Sequence, residues 1–323
     1  MIDPYGRKIN YLRLSVTDRC NLRCRYCMPE VGVPLLPHGG ILNYEELLLV
    51  ARTAVSLGIE KIRVTGGEPL IRKGILDFLS RLAGVPGLRQ LVLTTNGLLL
   101  KEMAGPLKAA GVQRLNISID SLLPATFRRI TRGGEVSRVL SGIAAAEAAG
   151  FPIKLNMVVM RGVNDHEVVD FAALTLDKPC AVRFIECMPS GAAADWTSRV
   201  VPGREILDRI SKRFGFTEID RGELAGPAKE YRIPGAAGTI GMITPVTGHF
   251  CAGCNRIRVT ASGMARGCLF SEAETDLKPV LRGDDPSELE NVLLRIVGAK
   301  PGRHRLCEAP SGPSPLDMSR VGG

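Results

Sequence analysis

The run Leu12-Arg13-Leu14-Ser15-Val16-Thr17-Asp18-Arg19-Cys20-Asn21-Leu22-Arg23-Cys24-Arg25-Tyr26-Cys27 joins an alternating strand pattern to three cysteines. Leu12, Leu14 and Val16 fall on one face of an extended chain and Arg13, Ser15 and Thr17 on the other, because successive side chains point to opposite sides. The cysteines follow at once, where the functional loops of α/β barrels lie. A closed metal site takes four ligands, so three thiolates leave one position open. A four-iron cluster normally has one cysteine per iron, and a three-cysteine cradle exposes one iron to a small molecule. A zinc site completed by His38 is the bland alternative, but structural zinc favours paired spacings, and the three-residue gap between Cys20 and Cys24 does not fit.

Outward from this stretch, Tyr11–Val16, Lys61–Thr65, Gln90–Thr94, Arg114–Ile119, Ile153–Val159 and Ala181–Ile185 are predicted strands with helical patterns between them. That makes an α/β chain of six βα units. A helix start is predicted at Asn43, with Glu46 three residues on, and another near Asn164-Asp165. On the second, fourth and fifth strands the alternation opposes Ile62 to Arg63, Leu115 to Asn116 and Leu155 to Lys154 and Asn156. A closed barrel is filled by branched apolar side chains; buried Arg, Lys and Asn without partners are costly. The pattern therefore predicts an incompletely closed, ligand-filled barrel offering Arg13, Arg63 and Lys154 to an anion. A flat sheet with one solvated face is the alternative, although parallel sheets are usually covered on both sides. The domain expectation is a barrel over 1–189, a smaller unit over 190–310 and a flexible tail over 311–323.

At 323 residues, 45% hydrophobic and 23% charged, the chain is long enough for a sizeable core. Nine cysteines at irregular spacing, with no signal-peptide pattern at the N-terminus, favour a reducing cytoplasm and cysteines used as ligands. No apolar run approaches the roughly 20 residues that span a bilayer. The net charge of +9 suits a polyanion, but Lys and Arg are dispersed and there are only five Tyr and one Trp for base stacking. A phosphorylated small molecule is favoured over a nucleic acid.

Gly66-Gly67-Glu68-Pro69 follows the second strand, where glycine allows close backbone approach; alone it is no more than a turn with Pro69 opening a helix. A second triplet, Cys251, Cys254 and Cys268, again supplies three ligands. His249, Cys180, Cys187 or Cys307 would complete it as zinc or a closed cluster; left incomplete, it is a second open cluster that holds substrate. Asn255-Arg256-Ile257-Arg258 adds two arginines, whose planar forks suit phosphate, though a pair of arginines in isolation is more often a solvated edge.

The Cys-x3-Cys-x2-Cys string with Tyr26 before its last cysteine resembles the signature of the radical S-adenosylmethionine (SAM) superfamily. With Arg183-Phe184-Ile185-Glu186-Cys187-Met188, Thr94-Thr95-Asn96-Gly97, the second triplet with Asn-Arg-x-Arg, and the terminal Gly322-Gly323, nearly the whole chain resembles the GTP 3′,8-cyclase family of molybdenum cofactor biosynthesis. The resemblance implies a six-stranded partial (βα)6 barrel of radical SAM type with a smaller C-terminal cluster-binding domain. It implies two [4Fe-4S] clusters, on Cys20, Cys24 and Cys27 and on Cys251, Cys254 and Cys268. It implies SAM near Tyr26, Gly67, Ser118 and Met188, and GTP near Arg13, Arg63, Thr94, Lys154, Arg256 and Arg258. In that family SAM is cleaved reductively, a deoxyadenosyl radical takes the ribose 3′ hydrogen, and the nucleotide closes to (8S)-3′,8-cyclo-7,8-dihydroguanosine 5′-triphosphate. Arg256, Arg258, Gly322 and Gly323 are implied in the catalytic step. Implied partners are an external electron donor, cyclic pyranopterin monophosphate synthase downstream and a second copy in a homodimer, with no membrane and no nucleic acid.

A radical SAM peptide maturase with an auxiliary cluster shares the first triplet and Gly-Gly-Glu-Pro, but is expected to carry more auxiliary cysteines. A zinc- or cluster-binding module that uses its basic surface for RNA is separated from both by metal content. Removing Gly322 and Gly323 is expected to impair cyclisation far more than cluster loading or GTP binding. Product formation, iron content and nucleotide binding of the truncated chain check this, and unchanged cyclisation refutes it.

Overall fold

Period-two alternation at the start of the chain produces β1 (Tyr11–Ser15), whose Leu12 and Leu14 are fully buried. The computed structural model describes residues 1–189 and 196–304, apart from positions 221, 223, 225, 284 and 286. In chain order there follow α1 (Tyr44–Ser56), β2 (Lys61–Thr65), α2 (Ile75–Ala83), β3 (Gln90–Thr95), α3 (Leu100–Ala109), β4 (Arg114–Ser118), α4 (Pro124–Thr131), α5 (Val136–Ala148), β5 (Ile153–Val159), α6 (Val168–Asp177) and β6 (Ala181–Glu186). All six predicted strands are present, with ends that differ by at most one residue. The later part supplies α7 (Trp196–Arg199), α8 (Gly203–Ser211), β7 (Thr217–Ile219), β8 (Lys229–Arg232), β9 (Thr239–Ile243), β10 (Arg256–Val259), β11 (Met264–Arg266), β12 (Thr275–Asp276), α9 (Lys278–Leu281) and α10 (Glu288–Gly298).

Helix α1 begins as its sequence predicts. Asn43 Oδ1 accepts from the Glu46 amide at 2.8 Å, and Glu46 Oε2 accepts from the Asn43 amide at 2.7 Å. This capping box satisfies two otherwise unpaired donors. The start predicted near Asn164 is a short 3-10 turn, Asp165–Glu167, that runs into α6.

The described strands form one sheet in the order β12-β11-β10-β1-β2-β3-β4-β5-β6-β9-β8-β7. The six predicted strands are consecutive and parallel at its centre. The parallel run extends beyond them: β10 pairs with β1 on one side and β9 with β6 on the other. β9 is a short segment in Gly-rich surroundings, whereas β10 alternates Arg256 and Arg258 with Ile257 and Val259 as an extended segment; neither carries a local mark of the barrel edge it pairs with. The region after 190 is thereby joined to both edges of the six-stranded sheet by main-chain hydrogen bonds.

The apolar strand face, with Leu12, Ile62, Val64, Leu93, Leu115 and Leu155, packs against Leu47, Phe78, Leu79, Leu107, Val139 and Phe171 of the helices. Each large side chain so buried stabilises the fold by about 1.5–3 kcal/mol. The opposite face carries the polar residues and lines a cavity. No helix among the described residues is long and apolar enough to cross a membrane.

Candidate active site

Residues two apart along eight neighbouring strands face one cavity. It is lined by Tyr11 and Arg13, Arg63 and Thr65, Thr94, Ser118, Asn156 and Val158, Arg183 and Ile185, Ile243, and Arg256 and Arg258. The sheet therefore curves around this space, and the flat-sheet alternative is excluded. Register sets the cations side by side: Arg13 pairs with Arg258 on β10 and with Arg63 on β2. Three guanidinium-bearing residues thus stand in one row across adjacent strands, all buried. Asn156 on β5 pairs with Arg183 on β6, and Arg183 with Gly241 on β9. A Cβ at Gly241 would come within 2.8 Å of Arg183 Cγ, so this glycine makes room for the arginine.

Burial is the main reason that the Arg13 guanidinium is held well below its usual range, with Arg258 and Arg63 adding repulsion. Burial likewise lowers Arg258 to about 10, Lys154 to about 7 and Lys61 to about 6. Glu230 offsets part of this charge, 3.3 Å from Lys154 and 3.1 Å from Arg183. Among the buried atoms without a hydrogen-bond partner are Nε of Arg13, Arg63 and Arg183, Thr94 Oγ1 and both amide atoms of Asn116. Buried polar atoms are normally satisfied; of these residues Arg13, Arg63, Arg183 and Thr94 line the cavity, where an anion would use their donors.

The loop after β1 holds Cys20, Cys24 and Cys27 against the same cavity. Burial raises the Cys20 and Cys24 thiols, which a metal reverses by binding thiolate. The Gly-Gly-Glu-Pro turn braces this loop: Gly67 N donates to Thr17 O at 2.7 Å and Glu68 N to Arg19 O at 2.8 Å. A Cβ on Gly67 would lie 2.2 Å from Arg19 O, so only glycine fits. Glu68 is buried, accepts from Thr95 Oγ1 at 2.8 Å and the Asn96 amide at 2.7 Å, and burial pushes its carboxyl up to about 7. Tyr26 donates its hydroxyl to Asp120 at 2.9 Å, and burial raises Asp120 to about 6.

The second triplet also lines the cavity. Burial alone raises the Cys254 thiol, but Arg256 and Lys300 outweigh it and bring it to about 6. Lys300 Nζ donates to Cys254 Sγ at 3.4 Å and to Arg256 O at 2.9 Å. Arg7 is held by Asp3 at 2.6 Å and donates to Cys251 O at 2.8 Å and Pro301 O at 2.8 Å, tying the N-terminal segment and the segment at Pro301 to this loop.

Six cysteines, Tyr26, Ser118, Met188, Arg13, Arg63, Thr94, Arg256 and Arg258, all expected at the site, thus share one cavity. Gly67 stands behind the first cysteine loop. Lys154 reaches Glu230 and lines a smaller recess with Arg114 and Cys180. Of the residues offered to complete the second triplet, Cys180 is in that recess and Cys187 packs with Ile130 and Met160. His249 stands beside Cys251. Cys307, Gly322, Gly323 and the His38 side chain lie outside the described residues. Sequence reasoning passed over Arg183 and Lys61, which strand alternation marks, and Lys300, which no local signal marks.

Two groups of three cysteines on one cavity are a donor set that fits two clusters of iron and sulfur. Residues 14–175 match the radical SAM superfamily and residues 180–306 match the family described as Molybdenum Cofactor Synthesis C. Among solved structures, Streptococcus suis SuiB bound to S-adenosylmethionine aligns with a TM-score of 0.58 at 12% identity, over 87% of this chain and 65% of that one. The fold and site are those of a radical SAM enzyme, which uses [4Fe-4S] chemistry and S-adenosylmethionine. GTP 3′,8-cyclases match over 100% of this chain: that of Geobacter sulfurreducens is 62% identical over 99% of its own length, and those of Pelotomaculum thermopropionicum and Moorella thermoacetica are 49% and 47% identical over 100% of theirs. The chain belongs to the GTP 3′,8-cyclase family, whose reaction is a step of molybdenum cofactor synthesis.

Gly67→Ala is expected to displace Arg19 and with it Cys20. Iron loading of the first triplet should fall while that of the second persists, and selective loading in Cys251→Ser and Cys20→Ser backgrounds measures each separately.

Proposed function

We propose that the cavity holds SAM at the end of the first triplet and GTP along the buried cations, and that the chain converts GTP to (8S)-3′,8-cyclo-7,8-dihydroguanosine 5′-triphosphate. The observation that carries this is the convergence of two cysteine triplets and a row of buried arginines on one cavity. Cys20, Cys24 and Cys27 hold the first cluster, and Cys251, Cys254 and Cys268 the second, in the part beginning at 190. When bound, the first cluster and SAM supply a carbon radical that removes the ribose 3′ hydrogen. Every other task falls to side chains of this chain.

Arg13, Arg63 and Arg258 present planar donor forks to the triphosphate, and Arg183, Lys61 and Lys154 add charge on neighbouring strands. Thr94 and Arg256 position the nucleoside. Tyr26, fixed by Asp120, packs with Ser118 and Met188 around SAM, while Gly67 brings the backbone of its turn close. Phe250, Leu269 and Phe270 form apolar wall beside the second triplet, which limits water at the reacting carbon. Arg256 donates hydrogen bonds to the guanine side of the nucleotide. The chain works as a cytoplasmic homodimer, takes electrons from an external donor and passes product to cyclic pyranopterin monophosphate synthase.

Protein reconstituted anaerobically with iron and sulfide, then given dithionite, SAM and GTP, is expected to form 5′-deoxyadenosine and the cyclised nucleotide together, as measured by mass spectrometry. Deoxyadenosine without cyclised nucleotide would transfer the proposal to a peptide substrate. Arg183→Gln should weaken GTP binding with both clusters still loaded, which equilibrium binding and iron content separate.

A proton effect accompanies binding. Lys61 and Lys154 lose their protons at about 6 and about 7 in the free protein. A bound polyanion favours the charged ammonium groups and raises both values. GTP binding at pH 8 should therefore take up protons, and affinity should fall as pH rises through and above this window. Calorimetry at pH 8 in buffers of different ionisation enthalpy measures the uptake; Lys154→Met should reduce it.

A further inference from the structure

Cys251 has neighbours that neither triplet uses. Its thiol and the rings of His249 and His304 offer three ligand atoms that all lie within 4.8 Å of one another. His249 Nδ1 is 3.3 Å from His304 Nε2. Two nitrogens on one tetrahedral zinc, each at about 2.05 Å, stand roughly 3.3 Å apart, and a nitrogen and a thiolate roughly 3.6 Å apart. The imidazoles are thus already at ligand spacing, and the thiol needs a shift of about an ångström.

The arrangement is built by surrounding contacts. Arg7 donates to Cys251 O at 2.8 Å and to Gly302 O at 3.2 Å, bringing the two chain segments together. His304 is buried and its ring is tilted against Phe270 with centroids 4.6 Å apart. On the far side of His249, Arg303 meets Nε2. Arginine only donates, so Nε2 accepts and Nδ1 carries the ring proton.

We propose that His249, Cys251 and His304 form a binding site for a divalent ion of the zinc type, and that its occupation excludes the second cluster. On binding, the His249 proton moves from Nδ1 to Nε2, the Arg303 side chain turns into solvent and the thiol proton leaves to solvent. Nδ1 of His249, Sγ of Cys251 and Nε2 of His304 then bond the ion, and water takes the fourth position. His304 lines the cavity, so the ion sits at its wall. Exclusion rests on the assignment of Cys251 to the second cluster made above; ion binding does not, because it uses neither Cys254 nor Cys268.

The probe is Zn²⁺ alone, titrated into full-length protein with the first triplet loaded and with Cys254→Ser and Cys268→Ser in place. One zinc per chain is expected to bind. Co²⁺ in its place should show the absorption of a single-thiolate site. His249→Gln, at an exposed position, and His304→Gln should each weaken binding by more than the roughly tenfold that loss of a supporting group costs. Absence of bound zinc, or binding unchanged with both histidines replaced, overturns the site. In the otherwise unmodified chain, zinc added before iron and sulfide should roughly halve the iron taken up, because one of two four-iron clusters is blocked; full iron uptake with zinc retained overturns exclusion. A zinc-free control that loads only the first cluster would fault the second-cluster assignment and leave the zinc titration standing.

Discussion

Arg258, Arg13 and Arg63 stand beside one another on three hydrogen-bonded strands, buried inside a curved sheet. At strand spacing and an effective dielectric of about 20, neighbouring like charges repel by on the order of 3 kcal/mol per pair. Arginine cannot escape by giving up its proton, as lysine does. Glu230 meets Arg183 and Lys154 on the other side of the barrel, leaving the three-arginine row to face the cavity. The interior is therefore organised around charge that the protein itself only partly balances. Stability is lost here in exchange for a row of cations preformed on the cavity, a common pattern where function and folding compete.

That constraint explains why the later part of the chain cannot be detached from the earlier part. Strand β10 supplies both the third arginine of the row and the approach to Cys254, and β9 supplies the glycine that admits Arg183. The two edges of a six-stranded sheet would otherwise present unpaired main-chain groups. Lys300 fastens the second triplet to β10 through the Arg256 carbonyl, and Arg7 reaches the same loop from the N-terminal segment. The site is assembled from both ends of the described chain.

Much of this was legible in the sequence. Alternation along β1 and β2 identified Arg13 and Arg63 as facing inward before any fold was known, and the cysteine spacings identified both triplets. The same alternation applied to Val182 and Phe184 marks Arg183, and Lys61 shares a face with Arg63; neither was drawn out. Lys300 and His304 were beyond reach for a physical reason. Their partners Cys254 and Cys251 are distant in the chain, and neither residue sits in a pattern that reports long-range contact. The additions of β9 and β10 were hidden because neither the five residues of β9 nor the four of β10, although these alternate Arg256 and Arg258 with Ile257 and Val259, mark the edge they pair with.

The pairing of β10 with β1 also acts as a ruler. The strands run in the same direction with Tyr11 opposite Arg256, so Cys254 lies just before one end of the ladder while Cys20 lies beyond the other. Strand β1, five residues long, alone spans about 16 Å at roughly 3.3 Å per residue. A hydrogen-bonded ladder does not stretch, so the segments carrying the two cysteine triplets are anchored to its opposite ends. A molecule that touches both must be long, and its length is measured against the backbone before any side chain recognises it.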